Sequence, residues 1–176
     1  MTDVPGRVFP NVVLRTQDNQ PVRFDELLKG RIVMINFFYT TCTSTCNMTT
    51  HNLARVVDAI GERFEREVIM LSITVDPNRD TPAVLKTYAE RYAAKPGWYF
   101  LTGRRRDIDS IRAAVGARDR YNEGPHTSVL VYGNAETGQW ATTPAQGSPT
   151  LVAKTVMRLM DLAQRQRGAR STVEVP

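Results

Sequence analysis

Cys42 and Cys46, the only two cysteines among 176 residues, stand four positions apart directly behind an apolar, β-branched run that ends in Phe38-Tyr39. If the chain enters a helix there, about 100° per residue leaves the two sulfurs roughly 40° apart, on one face and one turn from each other. Sulfurs so placed can share a metal ion or close a disulfide. A strand-to-helix junction also offers unsatisfied backbone N–H groups and the positive end of a helix dipole. Both favour thiolate over thiol, more so at Cys42, which is nearer that end. Two cysteines are too few for a disulfide scaffold in a chain of this length, so their closeness points to a metal site or a redox pair.

The elements that must position this pair are legible as alternating patterns. Short β-rich runs at Arg31 to Tyr39, Val68 to Val75, Trp98 to Leu101 and Thr127 to Tyr132 are separated by helix-like stretches, the signature of an α/β domain. Thr81 can cap a helix with Pro82 in its first turn and Val84, Leu85, Tyr88 and Tyr92 on one face. Ser148 and Pro149 open a last helix whose inward stripe reads Leu151, Val152, Thr155, Val156, Leu159 and Met160. Val12 to Leu14 and Val22 to Phe24 flank a turn at Gln17-Asp18-Asn19-Gln20 and predict a hairpin, and Gly133 to Gly138 predicts a second turn. Together these describe a thioredoxin-like α/β fold: a central mixed sheet flanked by helices, with an N-terminal β-hairpin extension. The expectation is one domain over residues 9–168, with loose termini at 1–8 and 169–176.

Composition bounds the function. The chain is 41% hydrophobic and 23% charged, as globular domains are, with a net charge of +5. Such charge would suit nucleic acid or an anionic membrane surface. Arg104 to Arg106 and Arg165, Arg167 and Arg170 come without an aromatic platform or nucleic-acid motif, so they read as solvated helix faces, and no nucleic-acid partner is expected. No apolar stretch reaches membrane-spanning length, and the first ten residues lack the apolar core of a secretory signal. This fits either a cytoplasmic chain or one whose targeting segment lies outside this sequence.

Four blocks in order resemble a known family: Cys42-Thr43-Ser44-Thr45-Cys46 behind an apolar strand, Val75-Asp76-Pro77-Asn78-Arg79-Asp80-Thr81-Pro82, then Leu101-Thr102-Gly103, then His126 opening a strand. Together they are similar to the Sco/SenC copper-binding proteins, over about Phe9 to Leu162. The resemblance implies a thioredoxin fold in which Cys42, Cys46 and His126 hold copper, as Cu(I) or Cu(II), in a metallochaperone that helps assemble the copper centre of cytochrome c oxidase. It also implies a copper-receiving oxidase subunit or another copper chaperone as partner. The expected location is the periplasm, or the periplasmic face of a membrane reached through an N-terminal tether that this sequence lacks. The chain departs from the family pattern at Thr43 and Asn47, where proline usually follows each cysteine, and at Pro125, where aspartate usually precedes the histidine.

Two thiolates and an imidazole form a soft ligand set of low coordination number that favours copper; zinc, with water in an open position, is the other candidate. His51, nine positions beyond Cys42, is read as a surface residue and Met48 as core packing, both turned away from the sulfurs. Asp76, Arg79 and Asp80 are read as structural or ligand-supporting, with Asp80 or Thr81 capping the next helix, and Tyr39 and Trp98 as core or rim aromatics. The competing function is an enzyme, a thiol-disulfide oxidoreductase in which Cys42 attacks the disulfide of a partner protein and Cys46 resolves the mixed disulfide. The four-residue spacing departs from the C-x-x-C of such enzymes. A peroxidase is disfavoured, because Phe38-Tyr39-Thr40-Thr41 precedes Cys42 in place of a Pro-x-x-x-Thr motif.

Overall fold

The computed structural model describes residues 9–42, 45–116 and 129–171. In chain order these form β1 (Val13–Thr16), β2 (Pro21–Arg23), α1 (Phe24–Leu27), β3 (Ile32–Phe38), α2 (Thr45–Ile60), β4 (Val68–Thr74), α3 (Pro82–Arg91), β5 (Trp98–Thr102), α4 (Arg105–Ala114), β6 (Val129–Asn134), β7 (Gln139–Pro144) and α5 (Pro149–Ser171). The strands make one sheet in the order β2-β1-β5-β4-β3-β6-β7. It is mixed: β3, β4 and β5 run parallel, while β1 pairs antiparallel with β5, β6 with β3 and β7 with β6. The expected N-terminal hairpin is β1-β2 at one edge, though Phe24 opens the short α1 rather than extending the strand.

β3 and β4 sit in the middle, and every residue of both is buried. Strands covered on both faces need continuous apolar runs, which is why Ile32 to Phe38 and Val68 to Thr74 lack polar alternation. Side chains alternate between two cores. Ile32, Met34 and Phe38 pack with α2, α3 and α5, while Val33, Ile35 and Phe37 pack with α1 and α4. The sulfurs belong to the first core, within which Phe38, Tyr88 and Phe100 meet with ring centroids 5.2 to 6.0 Å apart.

α2 turns Cys46, Thr49, Thr50, Leu53, Val56, Val57 and Ile60 inward, a stripe of three- and four-residue steps. Two links fix it laterally. Thr50 and Tyr88 hydroxyls meet at 2.8 Å, joining it to α3, and Asn52 Nδ2 donates to the carbonyls of Ala145 and Gly147 at 2.9 and 2.8 Å ahead of α5. Thr81 caps α3 as the sequence predicts, its Oγ1 accepting from Val84 N–H at 3.4 Å with Pro82 following. The stripe of α5 is Val152, Ala153, Val156, Met160 and Ala163. Leu151, expected in it, is exposed because it lies about 100° round the helix from Val152. The helix continues to Ser171, past the boundary expected at 168.

Candidate metal centre

The chain turns as soon as β3 ends. Cys42 N–H donates to the Tyr39 carbonyl at 3.3 Å, closing the four-residue turn Tyr39-Thr40-Thr41-Cys42. Cys42 lies outside α2 (Thr45–Ile60), while Cys46 stands near the start of that helix. The cysteines therefore do not share the helical face that their spacing predicts; Cys42 meets the first turn of α2 from outside it. Cys46 N–H donates to Cys42 Sγ at 3.3 Å. First-turn N–H groups have no intrahelical acceptor, and the sulfur supplies one.

Both cysteines are present as thiols and are buried. Burial pushes Cys46 up to about 12, its hydrogen bond with Cys42 adds to the rise, and a backbone hydrogen bond with Tyr39 opposes it. For Cys46 this corrects the expectation that the helix terminus draws the thiol toward thiolate. A helix dipole contributes about 0.3–1 kcal/mol at an exposed site, and removing a charged sulfur from water outweighs it here. A side-chain hydrogen bond between Tyr39 and Cys42, ahead of burial, holds the Tyr39 phenol above its ordinary value. Sequence reasoning missed this contact, because it follows from the turn that Tyr39 opens and Cys42 ends, which the spacing of the cysteines does not reveal.

A second group reaches the same turn from 40 residues away. Asp80 is fully buried and accepts from Thr40 N–H at 3.1 Å, from the Thr40 hydroxyl and, at 2.5 Å, from the Thr74 hydroxyl. It faces inward and leaves the cap of α3 to Thr81. Its neighbours stay outside: Arg79 is exposed and stands 3.8 Å from an Asp76 carboxylate oxygen, an ion pair of little energetic weight.

His126, the third expected ligand, lies outside the described residues, as do Pro125 and Thr43. Among the described residues, no group of three His, Cys, Asp or Glu side chains stands together to hold a metal. Asn47, the other departure, accepts from the Tyr92 hydroxyl at 2.9 Å and so ties α2 to α3. His51 is exposed, as expected. Met48 is 63% exposed, which corrects its reading as core packing, because it falls off the inward stripe of α2. Trp98 is buried in the core. Arg104, Arg105 and Arg106 at the start of α4, and Arg165, Arg167 and Arg170 along α5, are exposed, in keeping with solvated helix faces. Among the described residues, no helix is long and apolar enough to cross a membrane.

Two hydrogen-bonded, buried thiols can lose their protons to a soft cation or be oxidised to a disulfide. A profile of the SCO1/SenC family matches residues 7–161. A candidate copper-binding protein of Stutzerimonas stutzeri is 34% identical over 110 residues, 62% of this chain and 52% of that protein. The SCO1 protein homolog of Bacillus subtilis is 34% identical over 91 residues, 51% of this chain and 46% of that one. The chain spans about half the length of the relatives it matches. Among solved structures, copper-bound ScoI of Bradyrhizobium japonicum superposes with a TM-score of 0.70 at 24% identity, covering 86% of this chain and 99% of that one. BsSco, a member of the Sco family of cytochrome c oxidase assembly proteins in which a disulfide switch was identified, superposes with a TM-score of 0.70 at 21% identity, covering 86% and 92%. The fold they share with this chain is the thioredoxin-like one.

Proposed function

We propose, from the premise that this chain belongs to the SCO1/SenC family, that it is a copper metallochaperone which carries copper on Cys42, Cys46 and His126 and helps assemble the copper centre of cytochrome c oxidase. The observation that carries the reading is the pairing of two buried thiols at the end of a central strand, Cys46 N–H on Cys42 Sγ, inside a chain matched by that family profile over most of its length. Similarity to a candidate copper-binding protein and to copper-bound ScoI supports the choice of metal.

The donor set fits the cargo. Thiolate is a soft ligand and imidazole a borderline one, and a site of two sulfurs with one nitrogen suits Cu(I) while remaining able to hold Cu(II). Loading displaces the thiol protons, including the one that burial holds on Cys46. Release then follows by ligand exchange with a receiving oxidase subunit or another copper chaperone, and no bond-making catalysis is needed. A related SCO1/SenC protein of Bacillus anthracis is a lipoprotein. Membrane attachment through a segment outside this sequence, with the domain facing the periplasm, is the corresponding location.

An anaerobic titration of the reduced protein with Cu(I) against a competing chelator, run beside His126→Ala, tests this. One copper per chain is expected, bound about 10–100-fold more weakly in the variant, by analogy with the loss of a group that directly supports a metal site. No competitive binding by a folded, fully reduced protein would refute the reading.

One observation favours a second function. Cys46 holds its proton strongly and its backbone N–H donates to Cys42 Sγ, an arrangement in which Cys42 attacks a partner disulfide and Cys46 resolves the mixed disulfide. His126 is not needed for that exchange, so His126→Ala separates the two functions: weakened copper with unchanged exchange is expected.

A further inference from the structure

We infer that Asp80 is a positioning residue for the sulfur pair: its carboxylate clasps the turn that presents Cys42 and so sets how well Cys42 and Cys46 act together. For copper this rests on the function proposed above; for thiol chemistry it stands alone.

Both carboxylate oxygens are used. Oδ1 accepts from the Thr40 hydroxyl, while Oδ2 accepts from Thr40 N–H at 3.1 Å and from the Thr74 hydroxyl at 2.5 Å. Thr40 is the second residue of the turn closed by Cys42 N–H on the Tyr39 carbonyl. Asp80 thus holds one residue of that turn by backbone and side chain together. Its other grip, Thr74, ends β4 and pairs in register with Phe38, which ends β3. One buried group therefore fastens the cysteine turn to the paired ends of two central strands.

Two plainer roles are already filled. Capping of α3 belongs to Thr81. The register of β3 and β4 is set by seven paired positions and extended by Val75 N–H on the Phe38 carbonyl at 2.8 Å. The cysteine turn, in contrast, lies beyond the end of that ladder, closed by Cys42 N–H on the Tyr39 carbonyl. Partners that orient ligands tune a metal site.

The test uses the whole reduced chain and three variants. Asp80→Asn preserves the clasp: an amide oxygen in the Oδ2 place accepts from Thr40 N–H and Thr74, and the amide NH2 in the Oδ1 place donates to the Thr40 hydroxyl, which accepts as well as donates. Asp80→Ala removes the clasp. Ile111→Ala, in α4 within the core on the other side of the sheet, supplies a destabilised control. The first readout is the equilibrium with glutathione, in which the Cys42/Cys46 dithiol gives two electrons and two protons to glutathione disulfide, forming the protein disulfide and two glutathione thiols. The second is Cu(I) competition.

Asp80→Ala is expected to shift the glutathione equilibrium and to weaken Cu(I) about 10–100-fold. Asp80→Asn is expected to recover most of both, while Ile111→Ala lowers the melting temperature and leaves both unchanged. The proposal is overturned by a folded Asp80→Ala that matches the wild type in both readouts, by an Asp80→Asn that recovers nothing, or by an Ile111→Ala that moves both as far. Should Asp80→Ala not fold, Thr40→Val, which removes only the hydroxyl contact, must itself shift the glutathione equilibrium; no shift overturns the proposal equally. A wild type that binds no Cu(I), while Asp80→Ala or Thr40→Val still shifts the glutathione equilibrium, supports the clasp and refutes the copper function.

Discussion

Two buried polar links join β3 to β4, one in the middle of the sheet and one at its cysteine end. In the middle, Ser72 Oγ donates to Asn36 Oδ1 at 2.6 Å and accepts from Trp98 Nε1 at 2.9 Å, a neutral chain across three adjacent strands. At the end, Asp80 gathers Thr40 and Thr74. Both centre on a buried, hydrogen-bonded side chain, but they act on different backbones. Asn36 and Ser72 are register partners in a complete ladder, so their bond adds stability to a geometry that is already fixed. Thr40 lies where the ladder has stopped, and its hydrogen bonds decide where the turn goes. The same chemistry stabilises in one place and directs in the other, according to what the backbone would do without it.

The largest expected effect breaks the cysteine end alone. Cys42→Ser or Cys46→Ser should abolish tight copper binding and thiol exchange, checked by chelator competition and a disulfide-exchange assay, while circular dichroism stays native. Retained tight binding in either variant would remove the sulfurs from the site.

The next effect is alkaline. Burial raises Cys46 from about 9 to about 12 in the folded chain. The thiol form is favoured by the fold, so its contribution is fully present below about pH 9 and is lost as pH rises through about 12. The urea midpoint of the metal-free protein should therefore fall across that window. Tyr88 and Tyr132, raised by burial, add to the same fall. A Cys46→Ser series isolates the cysteine's share, and identical slopes for variant and wild type would show that it has none.

Ser72→Ala breaks the mid-sheet link instead. It strands Asn36 and Trp98 Nε1 without their shared partner and should cost about 1–3 kcal/mol in urea unfolding, with copper affinity unchanged. A parallel loss of affinity would show that the two links are not separable. Met48→Ala marks the lower limit. This exposed side chain, two residues from Cys46, should alter stability by no more than about 0.5 kcal/mol and leave the sulfur chemistry as it was; a larger change in urea unfolding would contradict its place outside the core.

The sequence by itself determined the elements whose signals are local. The apolar runs of β3 and β4, the Thr81-Pro82 start of α3 and the hairpin at Gln17 to Gln20 are written in neighbouring residues, and the two sulfurs were conspicuous as the chain's only pair. Met48 and Leu151 were misread because a helix buries a stripe whose exact rotation follows from what it packs against. Tertiary structure alone decided that Cys42 sits in a turn rather than on α2, that Tyr39 bonds to it, that burial overrides the helix dipole at Cys46, and that Asp80 turns inward to Thr40. The last of these depends on β3 and β4 pairing until Phe38 meets Thr74, which brings together residues 40 positions apart. Local periodicity carries no record of such a meeting, because nothing within one turn or one strand of Asp80 reveals which distant amide will complete its hydrogen bonds.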